Sequence, residues 1–203
     1  MEQSIFHKLK SFRQKQEGSV TVEFVIYIPL LLWLFAAIYT FFDAFRQESI
    51  NLKAAYTVSD LISRETTTLT EDYMDSMHEM TQLLIRGDSS VSLRVTVVRW
   101  DEDNDRYYVD WSKVRGDNLA GTFTAWTNAT VGEIEDDLPN MPDEERVIVV
   151  ETFNDLVPAF EVGLPDLDIE NFVFTRPRFA PLVYFEGVDV GGGSHDDGGD
   201  SID

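Results

Sequence analysis

The sequence contains no cysteine, which removes disulfides, thiolate metal sites, cysteine nucleophiles and thiol redox chemistry together. That absence does not fix the compartment, because exported proteins also fold without disulfides. Basic residues are scarce: 16 Lys and Arg stand against 37 Asp and Glu, a formal charge of −21. A surface of that sign repels a phosphate backbone, so no nucleic-acid partner is expected. Histidine is rare as well. His7, His78 and His195 are too scattered to form a shared cluster for zinc or a hydrolytic triad. Acidic pairs such as Glu144–Glu145 arise from composition alone, so no catalytic residue, cofactor or metal site is assigned and the chain is not read as an enzyme. What is abundant is apolar: 43% of residues are hydrophobic and 12% aromatic, too rich for a wholly disordered acidic chain. A length of 203 residues suits one principal folded unit with an appendage, or two very small domains.

Phe24 to Phe42 is a run of 19 residues without a charge. As a helix it covers roughly 28 Å, close to the hydrocarbon thickness of a bilayer. A cleaved secretory signal would have a shorter apolar region of about 7–15 residues, and here the small pair Ala36–Ala37 lies inside the run. Lys8, Lys10, Arg13 and Lys15 precede the span against only Glu2 and Glu17, which predicts a cytoplasmic N-terminus and an exported C-terminal portion. From Asp43 onward, 12 basic residues face 34 acidic ones, a net of −22. Pro29 inside the span removes a backbone donor and predicts a kink rather than a break. Beyond the span Phe45, Leu52, Ala55, Tyr56, Leu61 and Ile62 recur near helical spacing. One helix is therefore expected from about Val20 to Arg64, with its amphipathic end packing against copies of itself or related subunits.

The fold class read from the rest is α+β: after the transmembrane helix and stalk, a small exported domain with one helix packed on an antiparallel sheet. Thr66 to Thr70 breaks the first helix, and Tyr73, Met77, Met80 and Leu84 mark a second that stops near Gly87. The methionines read as a core face rather than a soft-metal box. Val91 to Val97 alternates, and Arg106 to Trp111 is aromatic and β-branched, giving a hairpin around the acidic loop Asp101–Asp105. Further strands are expected near Phe123 to Thr127, over Val147 to Phe153, and around Phe172 to Phe174, while Pro139 and Pro142 predict an irregular loop from Gly132 to Glu145. The domain boundaries that follow are a basic leader 1–18, helix and stalk 19–64, exported domain 65–187 and a disordered Gly-rich acidic tail 188–203. Asp101-x-Asp103-x-Asp105 opens like a calcium loop, but the sixth position is Arg106 and the twelfth Ser112, so an EF-hand is rejected. A nonstandard calcium site there stands as the alternative to a solvated turn. Trp100, Trp111 and Trp126 read as core or sheet-edge residues, with a glycan-stacking surface as the alternative.

The segment Glu17-Gly18-Ser19-Val20-Thr21-Val22-Glu23-Phe24 ahead of the apolar helix resembles the processing site of type IV prepilins, in particular the Tad (Flp-type) branch. The resemblance implies that a prepilin peptidase cuts between Gly18 and Ser19, leaving Glu23 as the fifth mature residue with Phe24 after it. Glycine leaves room for close approach of an enzyme to the backbone. The new Ser19 amine and the Glu23 carboxylate, each poorly accommodated alone near lipid, can compensate across neighbouring subunits. Val109-Asp110-Trp111-Ser112, Val147 to Val150 with Phe153 and Pro158, and Thr175-Arg176-Pro177-Arg178-Phe179-Ala180-Pro181 look similar to the TadE/TadF group of minor pseudopilins. That group implies a single-pass inner-membrane protein of the bacterial envelope, with a periplasmic C-terminal domain. Its partners would be the prepilin peptidase, other pilins or pseudopilins, an inner-membrane assembly platform and the membrane. Glu-Phe in place of the Glu-Tyr of major pilins, and a large exported body, favour a minor subunit over the bulk subunit. The competing expectation is an uncleaved single-pass protein whose exported domain binds a ligand, calcium or an envelope component.

Overall fold

The computed structural model describes residues 19–85, 91–116, 123–156, 158, 160, 162–163 and 167–188. The leader with Gly18, the expected stop at Gly87 and the acidic tail beyond Val188 lie outside them. The chain forms two compact units, residues 1–46 with 158–165, and residues 47–157 with 166–203.

Helix α1, Ser19–Ser63, is a single 45-residue helix that runs through Pro29. In the first unit its residues 22–35 are exposed all round, as expected of a helix apolar on every side. Farther along, Ala37 and Thr40 are buried and the Tyr39 ring meets Phe160 edge-on at 5.9 Å.

In the second unit the end of α1 packs on a sheet. Helix α2, Glu71–Ile85, starts at Thr70, whose hydroxyl accepts a bond from the Tyr73 amide at 3.2 Å, with Glu71 and Asp72 in the first turn. The strands are β1 Val91–Asp101, β2 Arg106–Arg115, β3 Arg146–Leu156 and β4 Leu167–Thr175. They form one antiparallel sheet in the order β2-β1-β3-β4. Leu93, Val95, Val97, Ile148 and Val150 face Ala55, Val58 and Ile62 of α1 and Met74 of α2. On the opposite face Val98, Val147 and Val149 meet Val131, Ile134, Leu138 and Met141.

Several expectations need correction. The apolar stripe expected of α1 divides: Ala55 and Ile62 are buried, with Asn51, Ala54, Val58 and Ser59 beside them, whereas Phe45, Leu52, Tyr56 and Leu61 stay exposed. The buried line of α2 is Met74, Thr81 and Ile85; Met77 and Met80 pack at its margin and Leu84 is exposed. As expected, α2 packs on the antiparallel sheet, and the end of α1 adds Ala55, Val58 and Ile62 to the same core. Asp101 pairs with Arg106, so four residues turn the hairpin instead of five. Phe123 to Thr127 is not a strand. Its side chains fold over the outer face of the sheet, and the Trp126 amide donates to the Ser112 hydroxyl at 3.0 Å rather than to a backbone ladder. The expected loop Gly132–Glu145 begins inside a 3-10 helix, Val131–Asp137, because Val131 and Ile134 at three-residue spacing both reach the core.

Candidate functional site

The segment that resembles a prepilin processing site leads into the start of α1. Gly18 is outside the described residues, Ser19 is the first residue of α1, and Glu23 follows one turn later. Phe24 is 63% exposed, as are its apolar successors over the next turns. Among the described residues one helix, α1, is long and apolar enough to cross a membrane.

A set of ion pairs and hydrogen bonds joins the end of α1 and its surroundings to the rest of the second unit. Asp60 of α1 pairs with Arg178 at 3.0 Å and with Arg64 at 2.7 Å, and the Arg178 amide donates to the Ser63 carbonyl at 2.8 Å. Arg176 pairs with Glu145 at 3.0 Å. The Arg-Pro-Arg segment singled out in the sequence is thus a pair of anchors, one for the helix end and one for the start of β3. Leu69 bridges to Phe185, and the Trp111 indole donates to the Val183 carbonyl at 2.8 Å. At the far edge Glu71 of α2 pairs with Lys113 and Arg115 of β2, and Asp75 with Arg115. The bonds from Lys113 and Arg115 hold the Glu71 carboxyl below its ordinary range.

A bulge in β2 opposite Val97–Val98 turns Asp110 inward. Its carboxylate accepts from Arg146 at 2.8 Å and lies 3.8 Å from Arg99. Burial is the largest influence and leaves the Asp110 carboxyl above its ordinary value, with Arg146 and Arg99 acting against it.

The sequence did not reveal a second buried charge cluster. Arg94 and Glu151 are cross-strand partners on β1 and β3, with side chains only 7% and 10% exposed, joined by two bonds of 2.7 and 2.5 Å. The guanidinium lies between the Phe123 and Trp126 rings at 4.4 and 4.2 Å and donates to the Thr124 carbonyl at 2.6 Å. The Trp126 indole completes the set, donating to Glu151 at 2.7 Å. Every donor direction of Arg94 used here is internal, so the cluster fastens the segment 123–127 over the sheet. The only hint in the sequence was Phe123-x-x-Trp126, whose aromatics were read as a strand.

Asp101 is likewise occupied. It accepts from the amide and side chain of Asn104 at 2.9 and 3.0 Å, which lowers its carboxyl below the ordinary range. No three His, Asp or Glu side chains converge on a metal position among the described residues. The acidic loop therefore serves its own turn. Trp111 is core, while Trp100 and Trp126 sit half-buried beside the outer cluster. His78 contacts the Val91 carbonyl at 2.7 Å, tying α2 to β1. Beyond these residues there is no outside likeness to draw on: no family profile, no curated protein and no solved structure matches the chain.

Proposed function

We propose that this protein is a minor pseudopilin of the Tad type, a structural subunit rather than an enzyme. In this reading α1 anchors the chain in the bacterial inner membrane, with the leader in the cytoplasm and the acidic body in the periplasm. A prepilin peptidase cuts between Gly18 and Ser19. The freed Ser19 amine and the Glu23 carboxylate are then matched on neighbouring helices, with Phe24 packing between them, as the subunit joins other pilins or pseudopilins at an assembly platform. The observation that carries the reading is α1 itself. Residues 24–35 are apolar and exposed on every side, and the same unbroken helix ends with Ala55, Val58 and Ile62 inside a folded core. An ordinary anchor needs no such continuity, whereas a subunit that packs by its helix and displays a body benefits from it. Leu52 and Tyr56, one turn apart and exposed, extend the surface that neighbours could cover.

Intact mass and N-terminal sequencing of the protein from membranes with active prepilin peptidase should show loss of residues 1–18. Gly18→Ala should retain them, and Glu23→Ala should be cut yet assemble poorly, read as pilus subunits recovered from the cell surface. Full-length wild-type protein in such membranes would sink the proposal in favour of an uncleaved anchor. Normal assembly of Glu23→Ala would remove the charge role alone.

A further inference from the structure

The geometry points to a binding cleft on the sheet face opposite α1 and α2 that receives a lysine or arginine side chain from an extended basic segment of a partner protein. The cleft has a volume of about 690 Å³ and lies between the β1–β2 hairpin and the residues that follow the 3-10 helix. Trp100 and Tyr107 form one wall, their rings 4.6 Å apart and tilted by 57°. Leu138 and Met141, both buried, supply an apolar floor. Asp105, Glu135 and Asp136 stand on the rim, and all three are exposed.

The charge of this cleft is not balanced from within. No Lys or Arg lines it. The nearest basic side chains are committed elsewhere: Arg99 to Glu144 and Asp110, and Arg106 to the Asn128 carbonyl and the face of Tyr108. An anion is repelled by three carboxylates. A bare divalent ion needs several oxygens in one shell, but among the described residues no three acidic side chains converge. The carboxylates instead stand around the wall formed by Trp100 and Tyr107, and polar surface predominates in the lining. That arrangement fits a side-chain cation whose head lies over an aromatic face with a carboxylate within reach. Tyr107 is held in place by donating to the Pro139 carbonyl at 3.2 Å. Burial, and then the charge of Glu135, push its phenol above the ordinary value, so it stays neutral and keeps donating. This inference stands whether or not α1 spans a membrane.

The test is calorimetric titration of the full chain, in neutral detergent, with a pentalysine peptide at about 50 mM salt, where surface charges still attract. The comparison is between Glu135→Gln/Asp136→Asn and a charge-matched control, Asp72→Asn/Glu79→Gln, on the exposed side of α2. Trp100→Leu provides a second cleft variant. The cleft variants should weaken binding about tenfold or more and the control less than twofold, with unchanged unfolding midpoints for the carboxamide pairs. Equal weakening in cleft and control variants would mean diffuse attraction to an acidic body and overturn the site. So would absence of wild-type binding, or displacement of the peptide by millimolar calcium or by a neutral oligosaccharide.

Discussion

Taking a guanidinium and a carboxylate out of water costs several kcal/mol each, and their attraction repays it only when every remaining donor is satisfied. Arg94 and Glu151 meet that condition through the Thr124 carbonyl and the Trp126 indole. Removing either partner leaves a lone buried charge. Arg94→Met and Glu151→Gln are therefore each expected to lower stability by about 3–5 kcal/mol, read from urea unfolding. The double variant should lie closer to wild type than Arg94→Met does. Single variants within about 0.5 kcal/mol of wild type, as for ordinary surface sites, would show the pair to be incidental. The cluster was hard to read in the sequence for a definite reason. In Val91-Ser92-Leu93-Arg94-Val95-Thr96-Val97 the polar positions look like a solvent face, but β1 lies between β2 and β3 and a strap covers its second side, so Ser92, Arg94 and Thr96 are buried too. Alternation reports which residues share a face; it does not report what lies above that face.

At the scale of elements, the presence and order of α1, α2 and the hairpin followed from periodicity and turn residues, because those signals are local. Which residues of α1 enter the core did not, since spacing selects Leu52 and Tyr56 as readily as Ala55 and Ile62, and Ala54 and Ser59 are buried beside them. Likewise, the β-prone residues of Phe123 to Thr127 are better served by stacking on Arg94 than by pairing with β2. The proposed processing motif is legible as a pattern because it is linear, and under the proposed function its chemistry would lie in a peptidase and in neighbouring subunits rather than in this chain. The burial of this end of α1 has a direct test. Ala55 is fully buried in the main core, so Ala55→Leu adds volume where there is none and should destabilise by about 1–3 kcal/mol. Tyr56→Ala, one residue farther on but 57% exposed, should change stability by less than about 0.5 kcal/mol. Both are read as urea midpoints of the full chain. Equal effects would mean that the end of α1 is not an integral core element.

Across the whole molecule, two electrostatic effects compete. The residues from Asp43 onward carry a net −22, which opposes compaction by self-repulsion. Local pairs such as Asp60–Arg178 and Glu71–Lys113, at 3.0 and 2.6 Å, favour the fold. Distance decides how salt treats them. The Debye length falls from about 30 Å at 0.01 M to about 10 Å at 0.1 M and about 3 Å at 1 M. Repulsion between carboxylates spread over the body is therefore largely screened at ionic strengths where contact pairs still hold. Most of those pairs are partly exposed, and such pairs contribute about 0–1 kcal/mol each even at low salt. The largely buried Arg94–Glu151 pair is screened much less than these. Raising NaCl from about 10 mM to about 300 mM at neutral pH should consequently raise the urea midpoint, and most of the rise should occur below about 100 mM, where the Debye length changes most. A midpoint that falls over the same range would mean that the exposed ion pairs, not the excess of acid, dominate the stability of this chain.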